Sequence, residues 1–306
     1  MIDEEITLRK LEVLVAFLEQ GNLPRTADAL QLSTVSVHRA LHSLENAMRC
    51  PLFRHEGRTL KPLPSAELLA QRSTILLSDL ERAVHDAQAL SGHAAQRLRV
   101  GTLFSLSIDV MPRLIMGMKT RRPEVSVELI MGSNAELLFR LNNLQIDAAM
   151  LSLAEDLHYP GMEVVPMFRD DIYLASPPDF RHPRPGPADL RDYQHEKFVS
   201  LSDGFATCQG FKAACEVAGF TPQVALQVND IFSLTSLVSG GVGHALLPGR
   251  VKDFFADKVC FTPLKPEYQM QQNLGLLFLR TRERDPNILA LAAETRMVGH
   301  SRHKAG

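Results

Sequence analysis

The sequence predicts a mixed α/β protein: an all-α N-terminal module followed by a short winged turn, one long helix, and a two-lobed α/β domain. Three observations predict it. Three short helical patterns crowd the chain before Cys50, an unbroken helical pattern runs from Pro64 to Leu90, and beyond Gly92 buried strands alternate with amphipathic helices.

The first helical stripe is Leu8, Leu11, Leu14, Val15 and Leu18, which ends at Gly21-Asn22. The second follows Pro24 through Ala27, Ala29 and Leu30. The third opens at Ser33, a good N-cap, and carries Val37, Leu41, Leu44 and Met48 on one face, with His38, Arg39 and His42 turned away. Three short helices with a tight turn between the last two make a helix-turn-helix. The segment LFRHEGRTLKPL then reads as two strands about a turn at Glu56-Gly57, a wing with basic residues beside its tip.

From Pro64 to Leu90, Leu69, Leu76, Leu80, Val84 and Ala87 share one side of a helix. At about 1.5 Å per residue such a helix rises roughly 40 Å, too long to pack wholly on so small a module, and it reads as a dimer arm. Strands are then expected at LRVGTL, VSVELIMG and DAAMLSL, separated by helices at IDVMPRLIMGMKTRRP and NAELLFRLNNLQ. That alternation argues for a parallel sheet with crossover helices. A second unit begins near Phe168, with strands DIYLAS, KFVSLS, VALQVN and HALLP and helices over 210–218 and 231–239. A last strand, GLLFLR, and a helix from Pro286 to about Val298 return to the first lobe. Expected boundaries are 1–63 for the winged helix-turn-helix, 64–91 for the linking helix, and 92–306 for a two-lobed, periplasmic-binding-protein-like effector domain. Within it, lobe 1 is 92–167 with 269–306 and lobe 2 is 168–268.

Composition narrows the function classes. A chain of 306 residues with 45% hydrophobic and 22% charged residues is neither disordered nor fibrous. The opening segment lacks a secretory signal, and no window holds a membrane span's length of uncharged apolar residues, so a cytoplasmic protein without a membrane partner is expected. Cys50, Cys208, Cys215 and Cys260 form no CxxC pair and read as reduced thiols. The chain is nearly neutral, with 33 Lys and Arg against 35 Asp and Glu. Residues 33–61 nevertheless hold five basic residues against two acidic ones. A positive patch at one end suits a nucleic-acid contact.

The run LRKLEVLVAFLEQGNLPRTADALQLSTVSVHRALHSLENAMRCPLFRHEGRTLKPLPSA resembles the N-terminal signature of LysR-type transcriptional regulators, with Ala27 and Ala29 in the first helix of the motif and Leu44-Glu45 followed by PLF. The downstream helix and two lobes extend the resemblance over essentially the whole chain. It implies a ligand-responsive regulator that binds promoter DNA as a homo-oligomer, dimer or tetramer with a lean to tetramer. Two positions depart from the family habit: Thr34 stands where Gln is usual and His38 where Ser is usual, so the operator read here differs from the common one. STVSVHRALHSLE followed by RCPLFRHEGR resembles the branch that controls malonate utilisation operons, which implies malonate or a similar carboxylate as effector.

In a helix-turn-helix the start of the second helix enters the major groove while its amides and small polar side chains grip phosphate. That position selects Ser33 and Thr34 for backbone or base contact, Val35 for a thymine methyl, and His38 and Arg39 for base edges or phosphate. Arg54 and Arg58 flank the wing turn, where a hairpin tip reaches the minor groove or adjacent phosphate; His55 beside them is left open. His38 and His42 have the spacing of a helical metal pair, but without a third ligand in fixed geometry they are expected to face DNA, and no metal or cofactor is expected.

In the α/β lobes, polar residues at strand-to-helix turns select Ser105, Ser107, Ser133, Ser152, Ser202 and Thr207 for an anionic effector, because helix N-termini favour anions and the ligand crevice of an open sheet lies at the carboxyl ends of its strands. Each is equally readable as a plain N-cap. Gly240-Gly241-Val242-Gly243 follows a helix and is no dinucleotide fingerprint, and no GxSxG, HExxH or P-loop pattern occurs. An enzyme carrying an N-terminal DNA-binding module stays open as the alternative, as does a regulator of another small metabolite. A solute-binding protein would need export.

Overall fold

A computed structural model describes residues 3–57, 59–91, 96–154 and 158–303. The chain divides into two compact units, residues 1–94 with 143–145 and residues 95–142 with 146–306.

The first unit opens with α1 (Leu8–Gln20), α2 (Leu23–Leu30) and α3 (Thr34–Met48). Each has a side-chain N-cap: Thr7, Asn22 and Ser33 accept from the amides of Lys10, Arg25 and Ser36. Gly21 ends α1 at φ 73°, a left-handed conformation that a glycine adopts without strain. The wing is β1 (Phe53–Glu56) paired antiparallel with β2 (Thr59–Pro62). The long helix α4 spans Pro64–Leu90. Val13, Leu14, Phe17, Val37, Leu41, Leu44 and Leu52 make the core, which also takes in Ala66 and Ala70 from α4. The first turns of the expected linking helix therefore belong to the head. Further along, Leu76, Leu80 and Val84 are exposed.

The second unit contains two sheets with their helices. In chain order the first lobe supplies β3 (Gln96–Thr102), α5 (Val110–Arg121), β4 (Val125–Met131), α6 (Asn134–Asn142), β5 (Ala148–Leu153) and β6 (Met162–Asp170). The second lobe follows with β7 (Ile172–Ser176), β8 (Lys197–Leu201), α7 (Ala206–Val217), β9 (Gln223–Val228), α8 (Ile231–Ser239), β10 (Ala245–Pro248), α9 (Lys252–Phe255) and β11 (Cys260–Pro263). The chain returns through β12 (Gln272–Leu279) and α10 (Pro286–His303). The first sheet has the order β4-β3-β5-β12-β6.

The parallel sheet expected from alternation is corrected here. β3 pairs parallel with β4 and β5, whereas β12 runs antiparallel between β5 and β6. In the second lobe β8 and β9 are parallel, but β7 pairs antiparallel with β10 and β11. A crossover helix enforces parallel pairing; β12 enters from the other lobe with no such helix before it, so its direction is free of that constraint. Strands β6 and β11 were not anticipated. β6 carries Pro166 opposite the irregularity at Gly275, and Pro is tolerated there because β6 is an edge strand. Phe168–Asp170 accordingly stay in the first sheet, and the chain crosses to the second lobe at Asp171.

Helix α10 lies close on that sheet. A Cβ at Gly299 would come 2.4 Å from the backbone oxygen of Met167, so only glycine permits the approach. Among the described residues no helix is long and apolar enough to cross a membrane.

Candidate DNA-binding face and effector cleft

Helix α3 divides sharply. Val37, Leu41 and Leu44 are fully buried, while Ser33, Thr34, Val35, His38 and Arg39 are exposed, Val35 at 66%. A valine so exposed beside a cap serine contributes nothing to the core and is free for an apolar contact such as a thymine methyl. The Ser33 hydroxyl already accepts from the Ser36 amide at 3.1 Å. Arg39 has no ion-pair partner among the described residues.

The wing residues are less free. Arg54 pairs with Glu56 at 2.7 Å on its own strand, and Arg58 lies outside the described residues. Beneath the wing sits a chain of polar contacts not anticipated from sequence. Glu45 Oε1 accepts from the amides of Leu52 and Phe53 at 2.8 and 3.1 Å, tying the wing to α3. Its Oε2 lies 3.3 Å from His42 Nδ1, and His42 Nε2 lies 3.1 Å from His38 Nε2. His55 of β1 stacks on the His42 ring with centroids 6.0 Å apart. Desolvation, then the neighbouring His42 and His55, hold the His38 imidazole below its ordinary pKa. Among the described residues no cluster of three or more metal-ligating side chains occurs.

In the second unit a buried arginine organises the space between the lobes. Arg250, just after β10, has a side chain only 3% exposed. Its Nη1 donates to Asp170 Oδ2 at 2.7 Å and to Gln272 Oε1 at 2.9 Å, and its Nε donates to Ser105 Oγ at 2.9 Å. Gln272 in turn donates through Nε2 to Thr207 Oγ1 at 3.0 Å. Asp170 and Gln272 lie where the chain crosses between lobes, so one guanidinium holds both crossings and a turn of each lobe.

Arg250, Ser105, Thr207, Asn134 and Gln272 line a cavity of about 20 Å³, room for one water. Asn134, Ala206, Thr207 and Gln272 also line an adjoining groove of about 960 Å³. The groove is rich in amides, and its lone charged lining residue among those described is Asp171. Asn134 donates to the Ser152 carbonyl at 2.6 Å, and its Oδ1 is buried without a hydrogen-bond partner.

The expected effector residues divide accordingly. Ser105 and Thr207 line the small cavity, and Thr207 and Ser152 line the groove. Ser133, Ser107 and Ser202 line neither. Ser133 and Glu136 form a reciprocal capping box at the start of α6, Ser107 donates to the Phe104 carbonyl at 2.7 Å, and Ser202 donates to Asn229 Oδ1 at 2.6 Å. Arg250, Asp170 and Gln272 were missed. An arginine one residue beyond the apolar strand HALLP, at the carboxyl end where ligands collect, is the signal that could have found Arg250.

The family profile described as the bacterial regulatory helix-turn-helix protein, lysR family, matches residues 8–67, and the LysR substrate binding domain matches residues 91–298. A malonate utilization transcriptional regulator of Klebsiella pneumoniae is 48% identical over 98% of this chain and 98% of its own. The full-length regulator CbnR complexed with its target DNA superposes with a TM-score of 0.68 at 19% identity, covering 95% of this chain and 99% of that one. The effector binding domain of QuiR in complex with shikimate gives 0.60 at 15% identity, over 68% of this chain and 99% of that one. These matches are to regulators, which removes the enzyme alternative. With a DNA-binding head and an effector domain each matched over its length, this chain belongs to the LysR family of transcriptional regulators.

Proposed function

We propose that this regulator controls a catabolic operon for malonate or a closely similar short dicarboxylate, working in the cytoplasm on double-stranded promoter DNA. The 48% identical relative supports the malonate reading, and buried Arg250 supports a carboxylate. Among the described residues the small cavity has a cation in its lining, whereas the groove offers amides and Asp171. A dicarboxylate therefore enters through the groove and places one carboxylate at Arg250, within reach of Ser105 and Thr207, with Ser152 beside the other end. Ser107, Ser133 and Ser202 then support the turns and touch no ligand.

A cavity sized for one water cannot take such a ligand as it stands. Asp170 also already balances the guanidinium. Binding must move the lobes or shift Asp170, and either movement passes directly to the crossing strands; this couples occupancy to the spacing of DNA-binding heads.

On DNA, Ser33 and Thr34 make backbone or base contacts at the helix start, Val35 meets a thymine methyl, His38 and Arg39 reach base edges or phosphate, and Arg54 and Arg58 of the wing contact phosphate. The exposed Leu76, Leu80 and Val84 of α4 supply the apolar seam of a homo-oligomer. Two experiments test the proposal. Malonate at about 100 times its dissociation constant should add roughly 2.7 kcal/mol of stability in a thermal-shift assay; no stabilisation at millimolar malonate removes the effector assignment. Arg39→Ala should cost about 1–3 kcal/mol of operator binding with little change in melting temperature; wild-type binding by that variant removes the recognition assignment.

A further inference from the structure

The polar chain beneath the wing fixes what His38 can present to DNA. Glu45 is held by two wing amides on Oε1 and leaves Oε2 3.3 Å from His42 Nδ1, where the nearby negative charge favours the proton on that nitrogen. His42 Nε2 is then a lone-pair acceptor. Its neighbour at 3.1 Å is His38 Nε2, so the shared hydrogen belongs to His38. A neutral His38 with its proton on Nε2 carries a lone pair on Nδ1, and among the described residues nothing bonds that atom. Stacking by His55 from β1 keeps the His42 ring in place.

We propose that His38 is a specificity-determining acceptor in the major groove, selecting an exocyclic amine, adenine N6 or cytosine N4, through the Nδ1 lone pair that the Glu45–His42 relay enforces. Guanine and thymine present acceptors at the corresponding positions and are rejected. The crowding that disfavours protonation of His38 keeps it in this accepting form near neutral pH. The proposal rests on α3 being the reading helix, and its test separates the two.

Glu45→Gln is the informative variant. The glutamine carbonyl can keep the Leu52 and Phe53 amides, while its NH2 group now faces His42 Nδ1 and demands a lone pair there. The proton order reverses: His42 donates from Nε2, His38 accepts on Nε2, and His38 Nδ1 becomes a donor. Selection from a randomised operator library should show, for the full-length wild type, one position per half-site with adenine or cytosine on the contacted strand. His38→Ala should relax that preference by roughly five- to tenfold, the worth of one hydrogen bond. Glu45→Gln should turn it towards guanine or thymine. Selective ¹⁵N-histidine spectra of the wild type should show His38 Nδ1 unprotonated, a readout that does not depend on any variant folding. A His38-dependent preference for guanine or thymine in the wild type, an unchanged preference in folded Glu45→Gln, or a protonated Nδ1 overturns the proposal. If His38→Ala changes nothing while Arg39→Ala still weakens binding, His38 does not read DNA and the helix assignment survives. If both behave as wild type, the helix assignment itself fails.

Discussion

The head and the sensor place their working residues in opposite ways. In the head, candidates from Ser33 to Arg54 lie close along the chain and are exposed, and the core they rest on is made by the intervening Val37, Leu41 and Leu44. In the sensor, Ser105, Asp170, Thr207, Arg250 and Gln272 come from five separate elements or turns and meet in the interior. The first arrangement lets most of the exposed candidates change with little effect on the core. The second makes the proposed ligand site and the fold's joints the same groups, so ligand binding there, as proposed, acts on the joints themselves.

The sharpest way to break this contrast is at Arg250. Arg250→Ala removes the buried guanidinium that donates to Asp170, Gln272 and Ser105, leaving only the backbone amide of residue 250 on Asp170, and should cost about 3–5 kcal/mol. Denaturant unfolding of the full chain checks it. A loss below about 1 kcal/mol would mean the guanidinium is not a structural joint, and the distinction between the units would weaken.

Acid should expose the sensor next. His244 is buried, with Nδ1 2.9 Å from Ser176 Oγ and the Phe180 ring 4.5 Å away. Burial, then repulsion from His182, pushes its pKa down to about 4 from the ordinary 6.5. Because the folded form resists the proton, the unfolded chain binds it first. Stability is therefore complete above about pH 6.5 and is lost as pH falls towards 4, by about 2–3 kcal/mol. Unfolding at pH 7 and pH 4.5 should show the loss for the wild type and a smaller one for His244→Gln.

The smallest effect lies in the head. Ser33→Ala removes the α3 cap that accepts from the Ser36 amide and should cost about 1 kcal/mol of stability. If it lowers operator affinity by much more than it lowers stability, Ser33 also touches DNA.

Much of the head was legible because local rules decide it. Caps at Thr7, Asn22 and Ser33, the glycine stop at Gly21, and helical spacing all act within a few residues, so α1 to α4 and the wing follow from neighbours along the chain. Strand positions in the sensor were legible for the same reason, from apolar runs bounded by turns. Pairing direction was not: β12 and β7 have sequences that suit either direction, and only the route of the chain between lobes makes them antiparallel. Nor was Asp170 legible as Arg250's partner, since they lie far apart along the chain and neither carries a motif. The sequence by itself determined the DNA-binding head, the two-lobed plan and the residues that α3 exposes, because periodicity and capping are local. Tertiary structure alone decided which polar groups meet at Arg250, because those depend on hydrogen bonds between segments that meet only in the folded chain.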